Sequence, residues 1–216
     1  MTTPMKHVAR RMCLLIAVSL MTSLIAQAGV ILSENFNELT PQLTAFSAGP
    51  FHTMNGTNID IVGGSLFGNL CISPESGHCI DMGGSFGNNA VGVFQSNHAF
   101  TLVPGGSYYL SFDLIGSHRL GLTTSTTVNF GPYSNTFVLT SGDVTSGIVV
   151  NQLVTVSTTE TTYLTFTNNS PNDNIGSVLD NVSIASGSPI PEPGTLLMLG
   201  PGVLGIGGLL RRKMMR

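Results

Sequence analysis

The strongest constraint on the fold is an alternation of apolar and polar side chains, with a period of two, in the middle of the chain. In residues 107–115 one face of an extended strand would carry four apolar side chains: Tyr108, Leu110, Phe112 and Leu114. Residues 161–167 repeat the alternation, with Leu164 and Phe166 on one face. A helix would need apolar residues at every third or fourth position, so this pattern predicts β-strands.

Further segments between the termini also have the composition of strands. They are rich in Val, Ile, Thr and Phe, and they comprise Val30–Phe36, Ala99–Val103, Thr126–Phe130, Thr136–Thr140, Ile148–Val156 and Val178–Ile184. Turn-forming residues such as Pro104-Gly105-Gly106 separate them. Many short strands without a helical pattern predict an all-β fold, namely a single antiparallel β-sandwich of the jelly-roll kind. The Gly-, Ser- and Asn-rich residues 63–89 are predicted to form a long surface excursion.

The N-terminal residues 1–28 have the order of a secretory signal peptide. Basic residues (Lys6, Arg10 and Arg11) precede an apolar run over 12–25, and Ala26-Gln27-Ala28 forms a small-residue cleavage site. Cleavage by signal peptidase after Ala28 would make Gly29 the first residue. The remaining exported part is long enough for one domain with a proper core, which we predict to span residues 29–186.

The C-terminal residues 187–216 combine a short motif, an apolar segment and a basic end. The motif is Pro191-Glu192-Pro193-Gly194, the apolar segment is 195–210, and the basic residues are Arg211, Arg212, Lys213 and Arg216. At about 1.5 Å per residue, such a helix would span roughly 24 Å of a ~30 Å hydrocarbon core. Basic residues directly after the segment favour a cytoplasmic C-terminus. The sequence therefore predicts a transmembrane helix at 195–210 with a basic tail at 211–216, and an ordinary anchor without processing stays open.

This C-terminal order resembles the PEP-CTERM sorting signal of bacteria, which membrane-embedded, transpeptidase-like enzymes called exosortases process. The residues that carry the resemblance are Pro191, Glu192, Pro193 and Gly194, followed by the apolar segment and the basic stop. The resemblance implies a precursor tethered to the inner membrane, processing near the motif by an exosortase-type enzyme, and delivery to the cell surface or extracellular matrix.

Charge is distributed very unevenly between the domain and the two terminal segments. Of the eight basic residues in the chain, only Arg119 lies in the exported domain, against ten of the eleven acidic residues, which gives this domain a formal charge of −9. A domain with a single arginine cannot neutralise a row of phosphates, so nucleic acid is excluded as a partner. Neutral glycans, divalent cations and proteins remain as partners.

Two cysteines, Cys71 and Cys79, remain in the exported domain, because Cys13 lies in the signal peptide. In an exported protein an even pair predicts a disulfide. A metal site that uses both cysteines and His78 is the alternative, but no second ligand pair with zinc-type spacing accompanies them.

The middle of the chain also resembles a known fold family. Residues 100–116 read Phe-Thr-Leu-Val-Pro-Gly-Gly-Ser-Tyr-Tyr-Leu-Ser-Phe-Asp-Leu-Ile-Gly, and residues 174–184 read Asn-Ile-Gly-Ser-Val-Leu-Asp-Asn-Val-Ser-Ile. These phrases are similar to those of the galactose-binding-like jelly rolls found in many PEP-CTERM proteins and in secreted plant cell-wall proteins. The resemblance implies the sandwich fold but no particular ligand, because folds of this kind carry many activities.

Asp180 departs from the apolar pattern of the last predicted strand. The alternation places it on the inward face with Val178, Val182 and Ile184. A buried carboxylate needs a partner, and basic residues are nearly absent from the domain. Related carbohydrate-binding sandwiches often hold a structural Ca²⁺ between their first and last strands, so we predict calcium at Glu34 and Asp180 with backbone carbonyls. An aspartate at the sheet edge that binds a turn is the alternative.

The sequence contains no recognisable catalytic motif, and we predict that the protein is not an enzyme. Tyr109 lies on the polar face of its predicted strand, beside Asp113, and is the best candidate for stacking against a sugar ring, although the chain contains no Trp. Two functions are compatible with these observations. The first is a structural or matrix-associated role as an exported surface protein. The alternative is a carbohydrate-binding module that recognises an extracellular polysaccharide.

Overall fold

The structure, a computed structural model, describes residues 29–64, 66–67, 70–71, 77–85, 92–116, 122–140, 147–170 and 174–187. Within these ranges the chain forms fifteen β-strands. Their bounds are β1 Gly29–Glu34, β2 Gln42–Ala45, β3 Ser47–Ala48, β4 Phe51–Thr53, β5 Ile59–Gly63, β6 His78–Asp81, β7 Gly92–Ser96, β8 Phe100–Leu102, β9 Ser107–Ile115, β10 Thr124–Phe130, β11 Tyr133–Leu139, β12 Ile148–Thr155, β13 Glu160–Thr162, β14 Thr165–Asn168 and β15 Val178–Gly187. The predicted signal peptide, sorting motif and transmembrane segment lie outside the described residues.

The strands form two antiparallel sheets that face each other. The seven-stranded sheet has the order β12-β9-β15-β6-β5-β2, with β1 paired to the second half of β15. The six-stranded sheet has the order β11-β10-β14-β7-β4-β3, and β13 and β8 form a separate pair. This arrangement confirms the predicted all-β antiparallel sandwich. In the described part of the chain, no helix is long and apolar enough to cross a bilayer.

Aromatic side chains fill the space between the two sheets. The rings of Phe112 in β9 and Phe166 in β14 belong to opposite sheets and meet edge to face, with centroids 5.3 Å apart. Phe51 stacks on Phe94 within the six-stranded sheet at 5.0 Å. All four side chains are almost completely buried. Burying such rings removes the largest apolar areas of the chain from water and holds the sheets together.

The alternation in residues 107–115 is confirmed, since Tyr108, Leu110, Phe112 and Leu114 are all buried while Tyr109 is 52 % exposed. The predicted strands after residue 99 are present, with bounds that differ by at most three residues. The segment 161–167 is two strands rather than one, because the chain leaves the β8–β13 pair and enters the six-stranded sheet as β14. Leu164 and Phe166 are both buried, as the alternation predicted.

The prediction of a surface excursion over residues 63–89 was wrong in part, because β6 lies inside this segment. It pairs with both β5 and β15 in the seven-stranded sheet, and Cys79 and Ile80 are completely buried. The predicted disulfide between Cys71 and Cys79 is confirmed, with an S–S distance of 2.00 Å. Cys79 packs with Val62, Ile115 and Val178 in a second, small cluster on the outer face of this sheet.

Two glycines allow the chain segments before β15 and after β6 to touch. A Cβ atom added to Gly83 would lie 2.8 Å from the backbone nitrogen of Gly176, and a Cβ on Gly176 would collide with the backbone of Gly83 and Met82. The Met82 backbone N–H donates to the Ser177 carbonyl beside this crossing, at 3.1 Å. Only glycine fits at both positions, and this contact fixes where β15 enters the sheet.

Candidate functional site

The seven-stranded sheet has an outer face, turned away from the other sheet. Along β12, β9, the second half of β15, and β1, none of the described residues covers this face. We call this region the open face. These four strands are neighbours in the order β12-β9-β15-β1, and they bring side chains into cross-strand rows. The small cluster around Cys79 covers the neighbouring part of the same face. The side chains of the open face are therefore exposed or half-buried.

The first row is apolar, and we call it the Tyr109 row. Tyr109 lies opposite Leu153 of β12 on one side and opposite Ala185 of β15 on the other, and Ala185 in turn pairs with Val30 of β1. Tyr109 is 52 % exposed, Leu153 48 % and Val30 74 %. The Tyr109 ring lies against Gly187, where a Cβ atom would come within 2.9 Å of the ring carbon Cε2. The row is an exposed apolar strip with an aromatic ring at its centre.

The second row is polar, and we call it the hydroxyl row. It runs parallel to the first, about 7 Å away, because side chains on one face recur every second residue. Ser111 is its central residue on β9, and it lies opposite Asn151 of β12 and Ser183 of β15, which pairs with Ser33 of β1. Asn151 and Ser33 are exposed, and the two central serines are half-buried. These side chains offer both donors and acceptors.

The third row carries carboxylates, because Asp113 of β9 lies opposite Asp180 of β15. This register corrects the prediction that Asp180 shares a face with Val182 and Ile184. The pairing shifts between Asp180 and Ser183, where Asn181 adopts a positive φ of 51°. This bulge reverses the alternation, so Asp180 lies on the outer face while Val182 returns to the core. Its burial was nevertheless predicted correctly, since Asp180 is only 4 % exposed.

The pKa of Asp180 is raised to about 6, mainly by burial and to a lesser extent by the nearby charges of Asp113 and Glu34, against the lowering effect of the Asn181 backbone N–H. That N–H donates to Asp180 Oδ1 at 2.7 Å. The Asn181 side chain donates from Nδ2 to Asp113 Oδ2, also at 2.7 Å. One asparagine thus binds both carboxylates and holds them at this end of the open face.

Glu34 is the other predicted calcium ligand. It is half-buried, it lies opposite Val182, and its Oε1 accepts the Phe36 backbone N–H at 2.7 Å. Its carboxyl group also lies against Gly49. Within the described ranges, no group of three or more His, Cys, Asp or Glu side chains is arranged to hold a metal ion. A calcium ion at Glu34 and Asp180 would therefore need backbone or amide oxygens, and this site stays a prediction.

The rest of the open face was not predicted from the sequence. Val30 and Leu153 were recognised only as parts of strands, and the serines of the hydroxyl row were not singled out. The signal for them exists in the alternation of each strand. It becomes readable only when the strand order is known, because the rows join residues up to 155 positions apart.

Comparison with known proteins finds a sorting motif at the C-terminus and similar folds in the domain. The family described as "PEP-CTERM protein-sorting motif" matches residues 189–213. No curated protein matches the chain. Three solved structures represent those to which the chain is similar.

The first is the CBM22-1 xylan-binding domain from Paenibacillus barcinonensis Xyn10C, at 10 % identity, with 74 % of this chain and 96 % of that chain covered and a TM-score of 0.45. The second is the carbohydrate-binding module CBM6cm-2 from Cellvibrio mixtus lichenase 5A, at 12 % identity, with 72 % and 96 % covered and a TM-score of 0.37. The third is the K3 adhesin domain of Lys-gingipain from Porphyromonas gingivalis, at 16 % identity, with 72 % and 99 % covered and a TM-score of 0.44.

The family match is what bears on the cellular route: the chain carries a PEP-CTERM protein-sorting motif and is an exported protein that is sorted to the cell surface.

Proposed function

We propose that the protein has a structural, matrix-associated role at the cell surface. In this proposal signal peptidase cleaves after Ala28, the segment 195–210 tethers the precursor to the inner membrane, and an exosortase-type enzyme processes it near Pro191. The matched sorting motif at residues 189–213 is the observation that carries the proposal. The disulfide between Cys71 and Cys79 supports it, because such bonds persist in oxidising compartments.

The bounds of the folded domain are compatible with processing at both ends. Strand β1 begins at Gly29, the first residue after the predicted signal cleavage, and β15 ends at Gly187, before the matched motif. Gly29 pairs with Ser186. Removal of both terminal segments would therefore leave every strand of the sandwich in place.

The test is the intact mass and fractionation of the native protein from its host. We expect a species that begins at Gly29 and ends near Pro191, found at the surface or in the medium. A variant in which Pro191, Glu192 and Pro193 are replaced by alanine is the matched control, and it should accumulate in the inner membrane with Arg216 retained. A wild-type protein that itself retains Arg216 in the inner membrane would contradict the sorting proposal.

A second candidate function, direct recognition of an extracellular polysaccharide, is favoured by the open face. Sugar rings bind proteins through apolar stacking on aromatic rings combined with hydrogen bonds from polar groups. The Tyr109 row supplies the first, and the hydroxyl row about 7 Å away supplies the second. The formal charge of −9 in the domain favours a neutral glycan over an anionic one.

Glycan-array binding of the exported protein, followed by affinity measurement on any positive glycan, tests this second function. Tyr109→Ala should weaken binding by about fivefold or more, since stacking on an aromatic ring contributes on the order of 1 kcal/mol or more. Tyr163→Ala is the control, because Tyr163 is similarly exposed at 43 % but lies outside the open face. Equal affinities of the two variants would contradict recognition by the open face, and no binding by the wild type would leave the structural role alone.

A further inference from the structure

Strand β12 forms one edge of the seven-stranded sheet. None of the described residues pairs with the edge of β12 that points away from β9. It is eight residues long, pairs with β9 without any register shift, and contains neither proline nor a charged residue. Exposed edge strands are usually protected by charges, prolines or bulges, because their unpaired backbone groups are a template for another strand. The sequence of β12 has none of these protections, so it is suited to pairing.

The side chains of β12 are arranged symmetrically about Asn151. Two exposed apolar residues lie at equal distances on either side of it: Val149, which is 67 % exposed, and Leu153, which is 48 % exposed. On the face of β12 that points to the core, Ile148 and Val154 likewise lie three residues before and three residues after Asn151. If two copies of β12 pair antiparallel with Asn151 opposite Asn151, each Val149 therefore lies opposite Leu153 of the other copy.

We propose that the chain self-associates by antiparallel pairing of β12 with β12 of a second copy, with Asn151 on the two-fold axis. The pairing places Val149 of each copy beside Leu153 of the other, so that each covers part of its neighbour's exposed apolar surface, and it joins the two seven-stranded sheets into one. An interface of this kind is isologous, because the same residues of each copy form it.

Each domain carries a formal charge of −9, but the nearest carboxylates on the described open faces of the two copies would be well separated. The carboxylate nearest to the edge on the open face is Asp113, which lies opposite Val149 on β9. In the pair, Asp113 of the two copies would be separated by three strand spacings and four residues along the strands, which is on the order of 20 Å. This exceeds the screening length of about 8 Å at physiological ionic strength.

The association is expected to be reversible. A single strand pair buries less than the roughly 1,200 Å² that stable interfaces bury. A protein crowded on a surface meets other copies at high local concentration, which offsets a weak affinity.

The register can be tested by cysteine cross-linking in the exported protein, produced from the full-length chain. Opposed residues of antiparallel strands have Cα atoms about 4.5–5.5 Å apart, which is within the range of a disulfide. Asn151→Cys should therefore form a disulfide-linked dimer on non-reducing electrophoresis. Thr155→Cys, exposed on the same strand, is the control, because its two copies would lie about 26 Å apart.

Two further variants make the test specific for the pairing. Val149→Cys and Leu153→Cys should each form no disulfide-linked dimer alone but should form a mixed disulfide when the two proteins are combined, since the proposed register places these two residues opposite each other. Asn151→Lys should abolish the self-association, because it would place two lysines opposite each other in the proposed register. The dependence of the mass on protein concentration in light scattering measures this. The proposal would be overturned if Thr155→Cys cross-linked as efficiently as Asn151→Cys. It would also be overturned if none of the four cysteine variants, nor the mixture, formed a disulfide-linked dimer.

Discussion

Asp113 and Asp180 lie directly opposite each other on neighbouring strands, so that two carboxylates occupy adjacent positions of one face. Asn181 holds both, through its backbone N–H and its side-chain amide. Like charges at directly opposed positions destabilise a sheet. The stability of this end of the open face should therefore depend on pH.

Neutralising Asp180 should stabilise the fold at neutral pH. Burial raises the pKa of Asp180 from 3.8 to about 6, so folding favours the protonated form. The contribution of this group to stability is then fully present below pH 3.8 and is lost as the pH rises through 6. Asp180→Asn should raise the free energy of unfolding at pH 7 by up to about 3 kcal/mol and by much less at pH 4. Denaturant unfolding in EGTA at both pH values measures this, and an equal effect at the two would contradict it.

If Glu34 and Asp180 bind calcium, the ion should offset the loss of stability that the buried Asp180 charge causes at neutral pH. The melting temperature of the wild type should then be higher in Ca²⁺ than in EGTA, by an amount equivalent to about 2.7 kcal/mol at a hundredfold excess over Kd. Asp180→Asn and Glu34→Gln should each abolish the difference, whereas Glu38→Gln, an exposed neighbour, should not. Identical wild-type melting curves in the two buffers would show the calcium prediction to be wrong.

Loss of the disulfide should destabilise the protein by about 2–3 kcal/mol, because it closes a short loop, with a separation of eight residues between Cys71 and Cys79. The double variant Cys71→Ala, Cys79→Ala removes the bond without leaving a thiol at the buried position of Cys79. Its unfolding should be insensitive to dithiothreitol, whereas that of the wild type should shift to lower denaturant concentration. A wild type that unfolds identically with and without the reductant would refute this expectation.

A methyl group at the crossing of Gly83 and Gly176 should be poorly tolerated. Gly176→Ala would drive a Cβ atom into the backbone of Gly83 and Met82, which cannot move without shifting β6 or β15. We expect a loss of about 2–4 kcal/mol in the free energy of unfolding. Gly92→Ala is the matched control, because its Cβ atom would meet Thr57 at an ordinary 3.4 Å, and a comparable loss there would argue against the steric explanation.

The parts of the fold that were predictable from the sequence are those with an uninterrupted alternation. Strand β9 has one buried and one exposed face over most of its length, so period two identifies it and separates Tyr109 from the core. Strand β5 has all five residues buried, which removes the alternation, and β3 has only two residues. Such strands are defined by their neighbours in the sheet and not by their own pattern.

The candidate site was predictable only as single residues, for a related reason. Tyr109 could be recognised on its own strand, but the rows around it depend on which strands are neighbours. The face of Asp180 was mispredicted because Asn181 inserts a bulge, and asparagine is one of the few residues that adopts a positive φ readily. A bulge of one residue reverses every later position of the strand.

The pairing of Gly29 with Ser186 places the first and last residues of the folded domain next to each other. Because its two ends leave the sheet side by side, a circular permutant that joins residue 187 to residue 29 through a short linker, and opens at the turn around Gly105, would preserve every strand pair. For the same reason, a domain of this shape can be exchanged between one set of export signals and another, during evolution or in engineering, without any change to its interior.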